Sequence, residues 1–100
     1  MAQYFNISGE STQELLAVNS NVKVNKISLT NIEGTNKCTV DLYIEKKLKG
    51  RFYLLKGVEL PIGATLIYDE TKFSNNSGFS LYIKLTKSAS ETPTVDVIIN

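Results

Sequence analysis

Histidine and tryptophan are absent from this sequence, cysteine occurs once, at Cys38, and proline twice. Each absence closes a class of function. Without histidine there is no commonest general base and metal ligand, and no Ser-His or Cys-His nucleophile pair. One cysteine permits neither an internal disulfide nor a multi-cysteine zinc site. No apolar run approaches the ~20 residues of a membrane helix. Nor does Met-Ala-Gln-Tyr-Phe-Asn at the start have the basic region and apolar stretch of a signal peptide. The chain is therefore expected to be made in a cytosol, with no membrane partner. Excess charge of either sign is also missing: 11 lysines and arginines face 10 aspartates and glutamates. That balance makes nucleic acid an unlikely partner.

What remains is a chain of 100 residues, 42% hydrophobic, with nine each of asparagine, serine and threonine. The length fits a single domain over residues 1–100. The dominant pattern is alternation with period two. Phe79, Leu81, Ile83 and Leu85 oppose Ser80, Tyr82, Lys84 and Thr86. Cys38, Val40, Leu42 and Ile44 oppose Thr39, Asp41, Tyr43 and Glu45, and Val95, Val97 and Ile99 form a third such run. Weaker segments lie at Tyr4–Ser8, Gln13–Val18 (short enough for one helical turn), Arg51–Val58 and Ala64–Asp69. In Val22–Ile32 the phase shifts at Asn25-Lys26, which predicts a β-bulge. Polar turns separate the runs. In Glu33-Gly34-Thr35-Asn36 the glycine can supply a positive φ, and Pro61-Ile62-Gly63 breaks the chain. The expected fold is all-β, an antiparallel β-sandwich of about seven or eight strands, jelly-roll or immunoglobulin-like. Its expected core is Phe5, Ile7, Val24, Ile27, Leu29, Val40, Leu42, Ile44, Phe52, Leu54, Ala64, Leu66, Leu81, Ile83, Leu85, Val95 and Val97.

Candidate chemistry is sparse. Asp69 and Glu70 are neighbours on a strand end and would face opposite sides. Asp41 and Glu45 read as a polar outer face, and no oxygen-rich loop of the calcium type occurs. Cys38 reads as a small core hydrophobe. No catalytic residue, metal or cofactor is expected, and the chain is read as a non-enzyme. Two features point to surfaces. Lys46, Lys47, Lys49 and Arg51 crowd one hairpin tip, suited to a solvated turn, an acidic protein or, less well, a phosphate backbone. Tyr43, Tyr53 and Tyr82, with Leu55 and Ile98, fall on outward phases and are candidate contact residues for a protein or a sugar. Sandwich edges must be covered or paired, so a homo-oligomer is expected.

Three stretches carry a resemblance: Val40-Asp41-Leu42-Tyr43-Ile44, Leu60-Pro61-Ile62-Gly63-Ala64-Thr65-Leu66, and Thr94-Val95-Asp96-Val97. In these the chain resembles small virion structural proteins of tailed bacteriophages, of the marine and cyanobacterial phage type. The first 20 residues are less distinctive. The resemblance implies a particle component in the virion, such as a capsid decoration protein or part of the neck, tail or fibre. Its partners would be other virion proteins, the major capsid protein or neck and tail components. The other reading is a carbohydrate- or host-surface-binding module of a fibre or spike, using the tyrosines and the Asn75-Asn76 loop.

Overall fold

The computed structural model describes residues 2–74 and 78–100. The structured part is all β: β1 (Gln3–Ser8), β2 (Gln13–Leu16), β3 (Lys23–Val24), β4 (Ile27–Asn31), β5 (Cys38–Lys46), β6 (Gly50–Leu60), β7 (Thr65–Tyr68), β8 (Phe73–Ser74), β9 (Phe79–Lys87) and β10 (Thr94–Ile99). One four-stranded sheet has the order β1-β10-β4-β7 and the second β2-β9-β5-β6, while β3 and β8 form a small ribbon. All pairings are antiparallel.

The order follows from nested pairing. The chain folds back at the β5–β6 hairpin. Outward from it, β4 pairs with β7, β3 with β8, β2 with β9 and β1 with β10. Winding a nested antiparallel ribbon into two facing sheets gives a jelly roll rather than an immunoglobulin sandwich. Eight strands carry the sandwich, and the β3–β8 ribbon closes the end next to the β5–β6 turn.

The alternating residues meet between the sheets. Ile27, Leu29, Val40, Leu42, Leu81, Ile83, Leu85, Val95, Val97 and Ile99 are fully buried. Phe5, Ile44, Leu54, Ala64 and Leu66 pack against them half-buried. Leu15, Leu16, Leu60, Tyr68 and Phe79 complete the core. Gln13–Leu16 is a strand, not a helical turn. Two expectations are corrected here. Phe52 is 50% exposed, because it lies on β6, an edge strand flanked only by β5. The phase shift at Asn25-Lys26 is not a bulge. It is where the chain leaves the ribbon for the first sheet, and both amides donate to the Asn100 carbonyl, at 2.6 and 3.0 Å.

Register shifts occur instead in the β2–β9 pairing, between Glu14 and Leu16, and in the β5–β6 pairing, on both sides of Leu42. Tyr43 pairs with Tyr53, but Leu42 pairs with Leu55 and Val40 with Val58, so β6 carries extra residues. This flips the expected phase of Leu55. It is half-buried, packs against the core and does not point outward. Gly57 sits in the second irregularity with φ 61°, a backbone region that favours glycine. Asp41 fastens it. Its carboxylate accepts from the Gly57 amide at 2.6 Å and meets Lys56 Nζ at 3.6 Å.

Candidate functional surface

The outer face of the second sheet is built by register. Tyr82 on β9, Tyr43 on β5 and Tyr53 on β6 stand side by side, with Glu14 of β2 beyond Tyr82. Alternation sends all three tyrosines away from the core, and cross-strand pairing brings them together. The Tyr43 ring lies 5.0 Å from Tyr53 and 5.5 Å from Tyr82, nearly parallel to the latter. The guanidinium of Arg51 sits 5.0 Å from the Tyr43 centroid, and the Lys56 ammonium 4.6 Å from that of Tyr53. Each such ring–ring contact contributes roughly 0.5–1.5 kcal/mol beyond the area it buries.

The three tyrosines are therefore not equivalent. Tyr43, outward by phase, is only 5% exposed, roofed by its neighbours and Arg51. Tyr53 remains 41% exposed, and Tyr82 is partly exposed. Arg51 is doubly tied. It reaches Glu45 at 3.4 Å, and hydrogen bonding to Tyr53, together with Tyr43 and Glu45, pushes its pKa further up. Ile98 lies on the opposite outer face, in a row with Tyr4, Ser28 and Ile67.

The basic tip adjoins the tyrosine face. The turn between β5 and β6 is closed by the Lys49 amide donating to the Lys46 carbonyl at 3.0 Å. It holds Leu48 at φ 66° and 96% exposed. Among the described residues, Lys46, Lys47 and Lys49 have no carboxylate within ion-pair distance. A cleft of about 350 Å³ lies between this turn and Val18, Ser80 and Tyr82.

Charge divides between the two ends of the sandwich. The tip end carries Lys46, Lys47, Lys49 and Arg51 against Glu45, and Lys23, Lys26 and Lys72 against Asp69 and Glu70. The far end carries Glu10, Glu33, Glu59 and Glu91 against Lys37 and Lys87. Both of those lysines are already paired, Lys37 with Glu59 at 3.1 Å and Lys87 with Glu10 at 3.8 Å.

Sequence reasoning missed the polar framework of the far end. Asn31 is fully buried. Its amide donates to the Asn36 and Leu60 carbonyls at 3.1 and 3.0 Å, and its oxygen accepts from the Glu33 amide at 2.9 Å. The carboxylate of Glu33 accepts from the Thr35 and Asn36 amides at 2.9 and 2.6 Å. Those bonds hold its pKa below the usual carboxylate range. Gly34 is not in the left-handed region, contrary to expectation, because the Glu33 carboxylate rather than a glycine conformation closes this turn. Cys38 is buried, and desolvation, then the Glu33 charge, push its thiol up and leave it inert. The Asn75-Asn76 loop lies outside the described residues. Among those described, no helix is long and apolar enough to cross a membrane.

The fold has counterparts. No protein-family model and no curated protein sequence matches the chain. Among solved structures, the chain is similar to PirA, with a TM-score of 0.64 and 8% identity over 97% of this chain and 93% of the other. It is also similar to a chain in the structure of infectious bursal disease virus, Gx strain. There the TM-score is 0.52 and the identity 10%, over 98% of this chain and 32% of that one. At such identity the likeness is one of fold: the jelly roll seen here is also used by a chain of a virus.

Proposed function

We propose that this chain is a structural protein of a virus particle of the tailed-bacteriophage kind, bound to the capsid as a decoration protein. It acts by surface contact and performs no catalysis. The observation that carries this reading is the tyrosine face. Tyr43 is already packed by its neighbours, so Tyr53, Tyr82 and the clamped Arg51 are held in place before a partner arrives. Side chains that lose little freedom on binding contribute more of their burial to affinity. Tyrosine and arginine are also the residues that most often dominate protein interfaces. The phage resemblance and the fold shared with a virus chain support the same assignment. Many copies on one particle would multiply a modest contact through avidity.

The sugar-binding reading uses the same residues less well. A sugar stacks on an open ring face, whereas Arg51 and Lys56 lie over Tyr43 and Tyr53. Binding of the wild-type chain on a glycan array, lost in Tyr82→Ala, would favour it instead.

The test is rebinding to particles stripped of the chain. The wild-type protein should rebind. A Tyr53→Ala/Tyr82→Ala variant should bind at least about tenfold more weakly, since interface aromatics cost more than ~1 kcal/mol each when truncated. Equal rebinding by the folded variant would overturn the assignment of this face.

A further inference from the structure

The two ends of the sandwich are complementary to each other. At one end Leu48 is almost fully exposed on a hydrogen-bonded turn that also carries Lys46, Lys47 and Lys49. At the other, Ile32 and Ile62 are 47% and 51% exposed. They flank a junction in which the Asn31 amide donates to the Ala64 carbonyl at 3.1 Å and the Gly63 amide to the Asn31 carbonyl at 3.0 Å. The same end carries Glu10, Glu33, Glu59 and Glu91. Glu10 and Glu59 occupy the two lysines of that end, so the charges of Glu33 and Glu91 are left over. The hydrogen bonds to Glu33 keep it ionised. The eleven residues of β6, at about 3.3 Å each, run nearly the full 39 Å of the long dimension. The positive apolar knob and the negative apolar seat thus lie at opposite poles.

We infer that copies of this chain associate head to tail, the Leu48 tip of one copy seating on the Ile32–Ile62 end of the next. The occupant is a second copy because both poles expose aliphatic groups and each carries a surplus of the charge opposite to the other's. Such a contact is heterologous. It generates a ring if the rotation between copies closes and a filament if it does not. It uses neither Tyr53 nor Tyr82, so it goes beyond the proposed capsid contact and leaves that face free.

The test is sedimentation velocity of the purified full chain. Wild-type protein should associate with rising concentration in low salt. In 1 M NaCl, where the screening length falls to about 3 Å, association should weaken by about tenfold or more. Two variants then separate this contact from any other. Lys47→Glu/Leu48→Glu removes the tip's apolar group and its surplus of positive charge, and Glu59→Lys/Ile62→Lys makes the far end basic. Both change exposed side chains, and circular dichroism checks that each is folded. Each alone should be monomeric, whereas an equal mixture should form one-to-one pairs, since the unaltered tip of the far-end variant seats on the unaltered end of the tip variant. Tyr53→Ala/Tyr82→Ala should assemble like the wild type. A wild-type chain monomeric at every concentration would overturn the inference. So would variants that still self-associate, or a mixture that stays monomeric.

Discussion

At the residue scale, the far end of the sandwich depends on two side chains that alternation does not mark. Asn31 serves three backbone groups from a fully buried position. Asn31→Ala removes these bonds and leaves the Leu60 carbonyl buried without its donor. Each orphaned group costs about 1–3 kcal/mol, so urea unfolding should show a loss of roughly 2–4 kcal/mol. Glu33 adds a pH dependence. Its folded-state pKa is depressed, so the stability it contributes is fully present above the ordinary carboxylate pKa. That stability is lost as pH falls through the lower folded value. Wild type should therefore be more stable than Glu33→Gln at neutral pH. The gap should close progressively in acid, below the usual glutamate pKa, as followed by unfolding at a series of pH values. A gap that stays constant with pH would contradict the role given to the carboxylate.

At the scale of elements, β6 is an eleven-residue edge strand, long enough to invite pairing with another chain. Its register shifts against β5, and Lys56 and Arg51 lie along it. Bulges and charges of this kind blunt an edge without requiring it to be covered. The Asp41–Gly57 contact holds the distortion. Gly57→Ala forces a side chain into the left-handed region although nothing crowds the added carbon. It should cost about 1–2 kcal/mol by denaturant unfolding, with the fold retained. Here the limits of the sequence are physical. Alternation in β5, β9 and β10 marks those strands and eight of the twelve largest fully buried side chains, because one inserted residue there would have turned an apolar face to water. In β6 no pattern marks the extra residues, since they become visible only against the partner strand. The phase of Leu55 is therefore not legible in its own strand. Alternation places Phe52 in the core because it does not tell an edge strand from a central one. The tyrosine face was legible by phase alone, but the burial of Tyr43 was not. It depends on three strands that are distant in sequence and brought into one register.

At the scale of the whole molecule, the nested jelly roll and the aromatic face support the proposed way of working, through surfaces. The near-zero net charge conceals a basic pole and an acidic pole. The tyrosine face lies along the side between them, so the proposed capsid contact and the proposed head-to-tail contact use different surfaces. This chain is proposed to be a constituent of virus particles. Quantitative mass spectrometry of gradient-purified particles, from the source that encodes the chain, tests it most directly. The account predicts the chain in the particle fraction, at a constant ratio to the major capsid protein across the gradient peak. Its absence from that fraction, or a ratio that drifts across the peak as for a co-purifying contaminant, would contradict the account.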